Sequence, residues 1–235
     1  MVLYGVIING ITIVVGSIIG LYFTNIKERY KETVIQGVSL VVIIIGLQMA
    51  LIANNMVIVL LSILIGAIIG ELLNLENQIN NFAKKITNPL KTKNNDQITE
   101  AFITATLIFA VGAMAIIGAL DSGVRGDHEI LITKSVIDGF TAIVLTTTLG
   151  YGVIFSAVTV VLYQGTIALL ATQIEKIIPE HLLTGLIDQI TAVGGLLIIA
   201  IGLNLLKLTN IRISNLLPAL IVICIIYIGF EQLFA

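Results

Sequence analysis

One stretch of this 235-residue chain concentrates groups able to bind or move ions. IGALDSGVRGDHEILITKSVIDG, residues 117–139, holds Asp121, Arg125, Asp127, His128, Glu129, Lys134 and Asp138. Lys134 and Asp138 are four apart, one helical turn on the same face, so an ion pair between them is geometrically available. If an apolar helix begins near Glu129, Asp138 lies about nine residues inside it, roughly 13 Å deep and near the centre of a bilayer. A charge there costs at least about 2.5 kcal/mol, which favours a coupling site over a merely self-neutralising pair. Asp121 and Asp127 read either as a solvated outer loop or as acids that bind a cation at an entrance. In the second reading Gly118, Gly123, Gly126 and Gly139 break the helix and expose its backbone. Thr141, Thr146, Thr147 and Thr148 are expected to bond their own i−4 carbonyls.

Amides supply the remaining polar chemistry. Gln48 and Asn204 each follow Gly-Leu; both are expected to face the protein interior, as solute contacts or as interhelical hydrogen-bonding groups. Asn9 and Gln164 are weaker candidates of the same kind. The GxxxG pairs Gly16/Gly20 and Gly66/Gly70 are expected to seat helices closely, within one subunit or between subunits of a homo-oligomer. One cysteine and two histidines exclude a disulfide framework, a Cys/His zinc cluster and an iron-sulfur site. With no HExxH, GxSxG or Walker sequence, neither an enzyme nor an ATP-driven pump is expected, and no metal or cofactor.

The elements that must position these residues are set by solvent. The chain is 57% hydrophobic and only 11% charged, against roughly 25% charged in a soluble domain, and its mean hydropathy is +1.09. So small a volume cannot bury that much apolar surface, so the partner is a lipid bilayer. A net charge of −2 without tryptophan gives no footprint for nucleic acid. A span needs about 20 apolar residues. Uncharged runs place spans at 3–23, two within 33–70 around Asn54-Asn55, a fourth at 101–120, a fifth and sixth between Asp138 and Glu175 parted by Gly150-Tyr151-Gly152, and the last two at 189–206 and 213–230. The first lacks a basic n-region and a small-x-small site, so it is expected to be retained. Eight spans make an all-α polytopic protein with one integral membrane domain, 1–235. Residues 74–98 form its polar loop, where Leu72, Leu75, Ile79, Phe82 and Ile86 suggest an amphipathic helix before Pro89; 99–150 is a central polar helix pair. Lys27, Arg29, Lys31, Lys84, Lys85, Lys91, Lys93, Lys207 and Arg212 fall on one side, Arg125 and Lys176 on the other. The positive-inside rule makes the first side cytoplasmic and puts both termini outside.

Residues 1–73 and 151–235 read as two copies of one unit. YGVIINGITIVV at residue 4 aligns with YGVIFSAVTVVL at residue 151, pairing Tyr4/Tyr151, Gly5/Gly152 and Thr12/Thr159. LVVIIIGLQ at 40–48 aligns with LLIIAIGLN at 196–204, and Asn54 then falls on Asn210. Spans one to three therefore correspond to six to eight. Five spans is an odd offset, so the second copy inserts upside down, an inverted-topology repeat of the kind used by secondary transporters.

GVIINGITIVVGSIIG, FAVGAMAIIGALDSGVRGDHEILITKSVIDG, LGYGVIFSAVTVVLYQG and AVGGLLIIAIGLNLL together resemble the YqgA/YdfK-type family of bacterial multi-pass membrane proteins, from Gly5 to about Pro218. The resemblance implies the bacterial plasma membrane and no particular activity. The residues themselves point to a secondary transporter or ion-coupled carrier of a small solute or ion, with Asp138 and Lys134 at its centre and Gln48 and Asn204 flanking. Proton coupling suits a buried carboxylate. A passive channel and a non-transporting scaffold or regulator are the alternatives.

Overall fold

The computed structural model describes residues 2–23, 28–79, 81, 95–178 and 180–234, and all of their regular structure is helical. The helices are α1 (Tyr4–Tyr22), α2 (Glu28–Ala50), α3 (Met56–Leu73), α4 (Asn95–Ala110), α5 (Ala113–Val124), α6 (Glu129–Leu149), α7 (Ser156–Ile177), α8 (Glu180–Leu205), the short α9 (Ile213–Leu216) and α10 (Ala219–Phe234), with a 3-10 turn at Tyr151–Phe155 before α7. Seven are long and apolar enough to cross a membrane, counting α9 and α10 as one; α4 and α5, bent 60° apart, make an eighth if taken together.

Local chemistry explains the boundaries. Asn55 caps α3, its Oδ1 accepting from the backbone N–H groups of Val57 at 3.0 Å and Ile58 at 3.4 Å, and Asn74 ends that helix in the left-handed region. Gly150 ends α6 at φ +89°, a conformation that disfavours any side chain. The fourth span is expected to run unbroken from 101 to 120. Instead it breaks at Val111-Gly112, where Gly112 has φ +136° and Val111 seats its side chain against Gly194 of α8. The seventh span begins before its expected start at 189. Its apolar window opens at Leu182, and Asp188 is tolerated inside α8 because it reaches Asn54 Nδ2, 3.3 Å away at the end of the bundle. Residues 75–79 are helical, whereas Phe82, Ile86 and Pro89 of the expected amphipathic helix lie outside the described residues.

Contacts between glycines and their neighbours give the chain directions. Gly5 meets Leu131, Thr12 meets Gly139, Gly16 meets Gly139 and Ala142, and Gly20 meets Ile143 and Thr146. The numbers rise together, so α1 and α6 are parallel. On α7 they run oppositely: Gly165 meets Leu3 and Val6, while Gly10 meets Val161. The same reading makes α2 antiparallel to α8, through Gly46 on Gly195 and Ile199 and Gly202 on Ser39 and Ile43, and α3 antiparallel to the last span, through Gly66 on Ala219 and Gly70 on Asn215. If α1, α2 and α3 each cross, α6 can run parallel to α1 only if the chain crosses once more between α3 and α6. A re-entrant α4–α5 hairpin would turn α6 around, so the bent pair is one broken crossing. The bundle then has eight passes with both ends of the chain on one face. Ser122, near the end of α5, agrees, donating to the Val2 carbonyl at 2.7 Å.

Both GxxxG pairs are used inside the chain. Gly16 and Gly20 admit the backbone of α6, while Gly66 and Gly70 admit Ala219 and Asn215. Gly118 and Gly123 are helical seats as well, against Leu131 and against Ala168 and Ala171. Of the four glycines expected to break the 117–139 segment, only Gly126 does so, at φ +68°.

Candidate functional site

The Lys134–Asp138 pair forms, and it is buried. Lys134 Nζ lies 2.8 Å from Asp138 Oδ1, with the two side chains 9% and 4% exposed. Glycines on α1 allow this burial by bringing α6 against α1 along its length. Across that seam the amide of Asn9 lies beside the Asp138 carboxylate. Asn9 Nδ2 in turn donates to Gln164 Oε1 of α7 at 3.1 Å. Three helices thus contribute one constellation: Asn9 from α1, Lys134 and Asp138 from α6, and Gln164 from α7, all buried.

Its hydrogen bonding is incomplete. Asp138 Oδ2, Asn9 Oδ1 and Gln164 Nε2 have no partner, nor has Ser17 Oγ farther along α1. Unfilled valences in a dry interior cost about 1–3 kcal/mol each, and buried polar groups left open point to a ligand, a proton or a movement that fills them. Ser135, by contrast, is closed on its own helix, donating to the Leu131 carbonyl at 2.6 Å.

The other candidates lie elsewhere. Asp121 pairs with Arg125 at 3.4 Å, and Asp127 Oδ1 accepts from the Glu129 N–H at 3.0 Å. Both acids organise the turn between α5 and α6 rather than reach the buried pair. His128 Nδ1 meets Ser122 Oγ at 2.8 Å, and its ring packs on Tyr4 at 5.5 Å, clamping that turn to the start of α1. Gln48 corrects the expectation of an inward amide: it is exposed, two residues from the end of α2, where an amide can reach the interface without being buried. Asn204 is a loop organiser. Its Nδ2 donates to the Ile211 carbonyl at 2.8 Å, and its Oδ1 accepts from Thr209 Oγ1 at 2.7 Å and the Ile211 N–H at 2.9 Å. Gln48 and Asn204 therefore do not flank Asp138. Thr141, Thr147 and Thr148 bond i−4 carbonyls, but Thr146 Oγ1 is buried and unpaired.

A second polar feature escaped the sequence reading. A cavity of about 280 Å³ opens between α4, α8 and residues 210–214, lined by Glu100, Thr104, Asn204, Asn210, Arg212 and Ser214 among others. Arg212 is tied at its edge to Glu71 at 3.2 Å and Glu76 at 3.5 Å. In sequence Glu100 and Arg212 only mark the ends of apolar runs; that they border one cavity depends on packing.

Residues 4–228 match the family described as "Protein of unknown function (DUF554)". The chain belongs to the DUF554 family. Its relatives there include the "Uncharacterized membrane protein YdfK" of Bacillus subtilis (strain 168), 32% identical over 225 residues, covering 94% of this chain and 93% of the relative. Another is the "Uncharacterized protein YqgA" of Escherichia coli (strain K12), 29% identical over 222 residues, covering 92% and 93%. No solved structure matches. This DUF554 chain is thus similar over 94% of its length to a protein described as a membrane protein, and its polar constellation lies within the range of the family match, residues 4–228.

Proposed function

We propose that this protein is an ion-coupled secondary carrier of a small solute in the bacterial plasma membrane, with its termini outside. The observation that carries the reading is the buried, incompletely bonded Asn9–Lys134–Asp138–Gln164 constellation. Charges at such depth are expensive, and intramembrane ionisable groups serve ion or substrate pathways by default. The packing of the two expected repeats supports the same reading. Under the shift of 156 residues that aligns 40–48 with 196–204, the contact of Gly46 with Gly195 becomes that of Gly202 with Ser39. Likewise Gly46 on Ile199 becomes Gly202 on Ile43, and all four contacts are made. Under the shift of 147 that aligns residues 4 and 151, a groove between α1 and α7 is lined by partners in pairs: Ile11 with Val158, Val14 with Val161, Val15 with Leu162. Reciprocal contacts between antiparallel helices are what a two-fold axis in the membrane plane produces, and inverted repeats of this kind let a carrier exchange inward-open and outward-open shapes.

A thermal-shift screen of the purified protein against metabolites and ions would find the cargo, since a ligand of the folded state raises its apparent stability. Flux of that ligand into proteoliposomes should then saturate and follow an ion gradient. Flux that rises linearly with concentration would favour a channel, and binding without flux a regulator.

A further inference from the structure

We infer that the cargo is a small monoanion carried together with a proton, Asp138 taking the proton and Lys134 the anion. This rests on the carrier reading and names its substrate class. In the closed pair the ammonium occupies Oδ1 of Asp138, while Oδ2, in a carboxylate that the amide of Asn9 lies beside, is an acceptor with nothing to accept. An open carboxylate oxygen buried among helices is completed by one proton. Protonated at Oδ2, Asp138 is a neutral acid and no longer holds a charged acceptor unfilled. A metal cation is a poor alternative, because the Lys134 ammonium already holds the adjacent oxygen and would repel it.

Protonation has a consequence for Lys134. The carboxylate takes H⁺ from the aqueous side and becomes a neutral acid, so the site moves from zero net charge to +1 on an ammonium that has lost its partner. The packed helices bring no second charge to this depth. Tyr4 on α1, Asp121 on α5, Arg125, His128 and Glu129 around the turn, and Glu175 and Lys176 at the end of α7 sit at one end of the bundle; Tyr22 on α1, Asp96 and Glu100 on α4 and Tyr151 sit at the other; Tyr163, next to Gln164 on α7, is an uncharged phenol from neutral to acidic pH; α2 carries none from 33 to 50. An unpaired buried ammonium is unfavourable, and an incoming anion returns the site to neutrality. Gln164 Nε2, an unfilled donor, adds a second hydrogen bond to an oxyanion. One proton and one monoanion therefore load together, and neither does so readily alone. With one ammonium in the constellation, a polyanion would stay uncompensated.

Purified protein in lipid nanodiscs can be tested by thermal shift with sodium formate, acetate, nitrate and chloride against sodium gluconate as a bulky control, from neutral to acidic pH. In the wild-type protein the shift from at least one small anion should grow on acidification, its apparent affinity rising by up to tenfold per pH unit. Asp138→Asn, a mimic of the protonated acid, should bind that anion with no pH dependence and gain more stability from it at neutral pH than the wild type does. Lys134→Gln should lose the shift. Should Asp138→Asn fail to fold, the comparison of wild type with Lys134→Gln across pH decides alone. Anion shifts that ignore pH, that survive Lys134→Gln, or that are absent at every pH would overturn the inference. These outcomes are separable from the carrier reading, since anion binding without flux leaves the inference standing and removes the carrier, whereas flux of a cation does the reverse.

Discussion

At the scale of single residues the Lys134–Asp138 pair dominates. Removing one member of a buried ion pair leaves the other uncompensated, a loss of about 3–5 kcal/mol. Asp138→Asn should therefore lower the unfolding midpoint substantially without added anion. Lys134→Met combined with Asp138→Leu should recover most of that stability, because two apolar side chains replace two desolvated charges. If the pair carries coupling, the stable double variant should bind no cargo; a double variant that retains ligand-linked stabilisation would reduce the pair to a structural role. Asn204 and Gln48 make a second contrast. Asn204 makes three hydrogen bonds to the loop after α8, so Asn204→Ala should cost roughly 1–3 kcal/mol and speed hydrogen exchange at the Ile211 amide. Gln48 is exposed and near the end of its helix, so Gln48→Leu should change stability by less than about 0.5 kcal/mol.

At the scale of elements, small residues decide which helices touch. Gly16 on α1 and Gly70 on α3 each face backbone of a neighbouring helix, so Gly16→Leu or Gly70→Val must push two helices apart. Overpacking of this kind typically costs about 1–3 kcal/mol or more, and both variants should lose folded yield in fluorescence-detected gel filtration. Gly37 on α2 has nothing within 4 Å of where a Cβ would stand. Gly37→Ala should leave yield intact and raise stability by roughly 0.5–1 kcal/mol, the usual gain for alanine over glycine in a helix. Equal losses from Gly37→Ala and Gly16→Leu would mean that the α1–α6 seam is not what glycine protects.

At the scale of the whole molecule the testable statement is topology. Ser122 is buried and bonded to Val2, which makes it a poor reporter, but Asp127 in the same turn is exposed, as is Asn210 at the opposite end. In a Cys224→Ser background, Asp127→Cys should react with an impermeant maleimide on intact cells, and Asn210→Cys only after permeabilisation. Reversed labelling would invert the orientation, and labelling of both from outside would contradict the eight-pass bundle.

Sequence by itself determined the solvent and the approximate place of most helices, because both follow from local composition: uncharged runs long enough to cross lipid, parted at Asn54-Asn55 and at Gly150-Tyr151-Gly152. It also determined that Lys134 and Asp138 share a face, since four residues make one turn whatever surrounds them. Only the tertiary structure decided what that face meets. Asn9 and Gln164 lie 155 residues apart, and nothing local to either distinguishes them from Gln48, whose amide points outward. Local chemistry was likewise silent on the broken fourth span, whose kink depends on Val111 finding Gly194, and on Asn204, whose partners are the loop it folds back on. In lipid, apolar side chains satisfy the surroundings equally well on every helix face, so the pattern of hydrophobicity that orients helices in water carries little direction here, and close packing at small residues takes over that role.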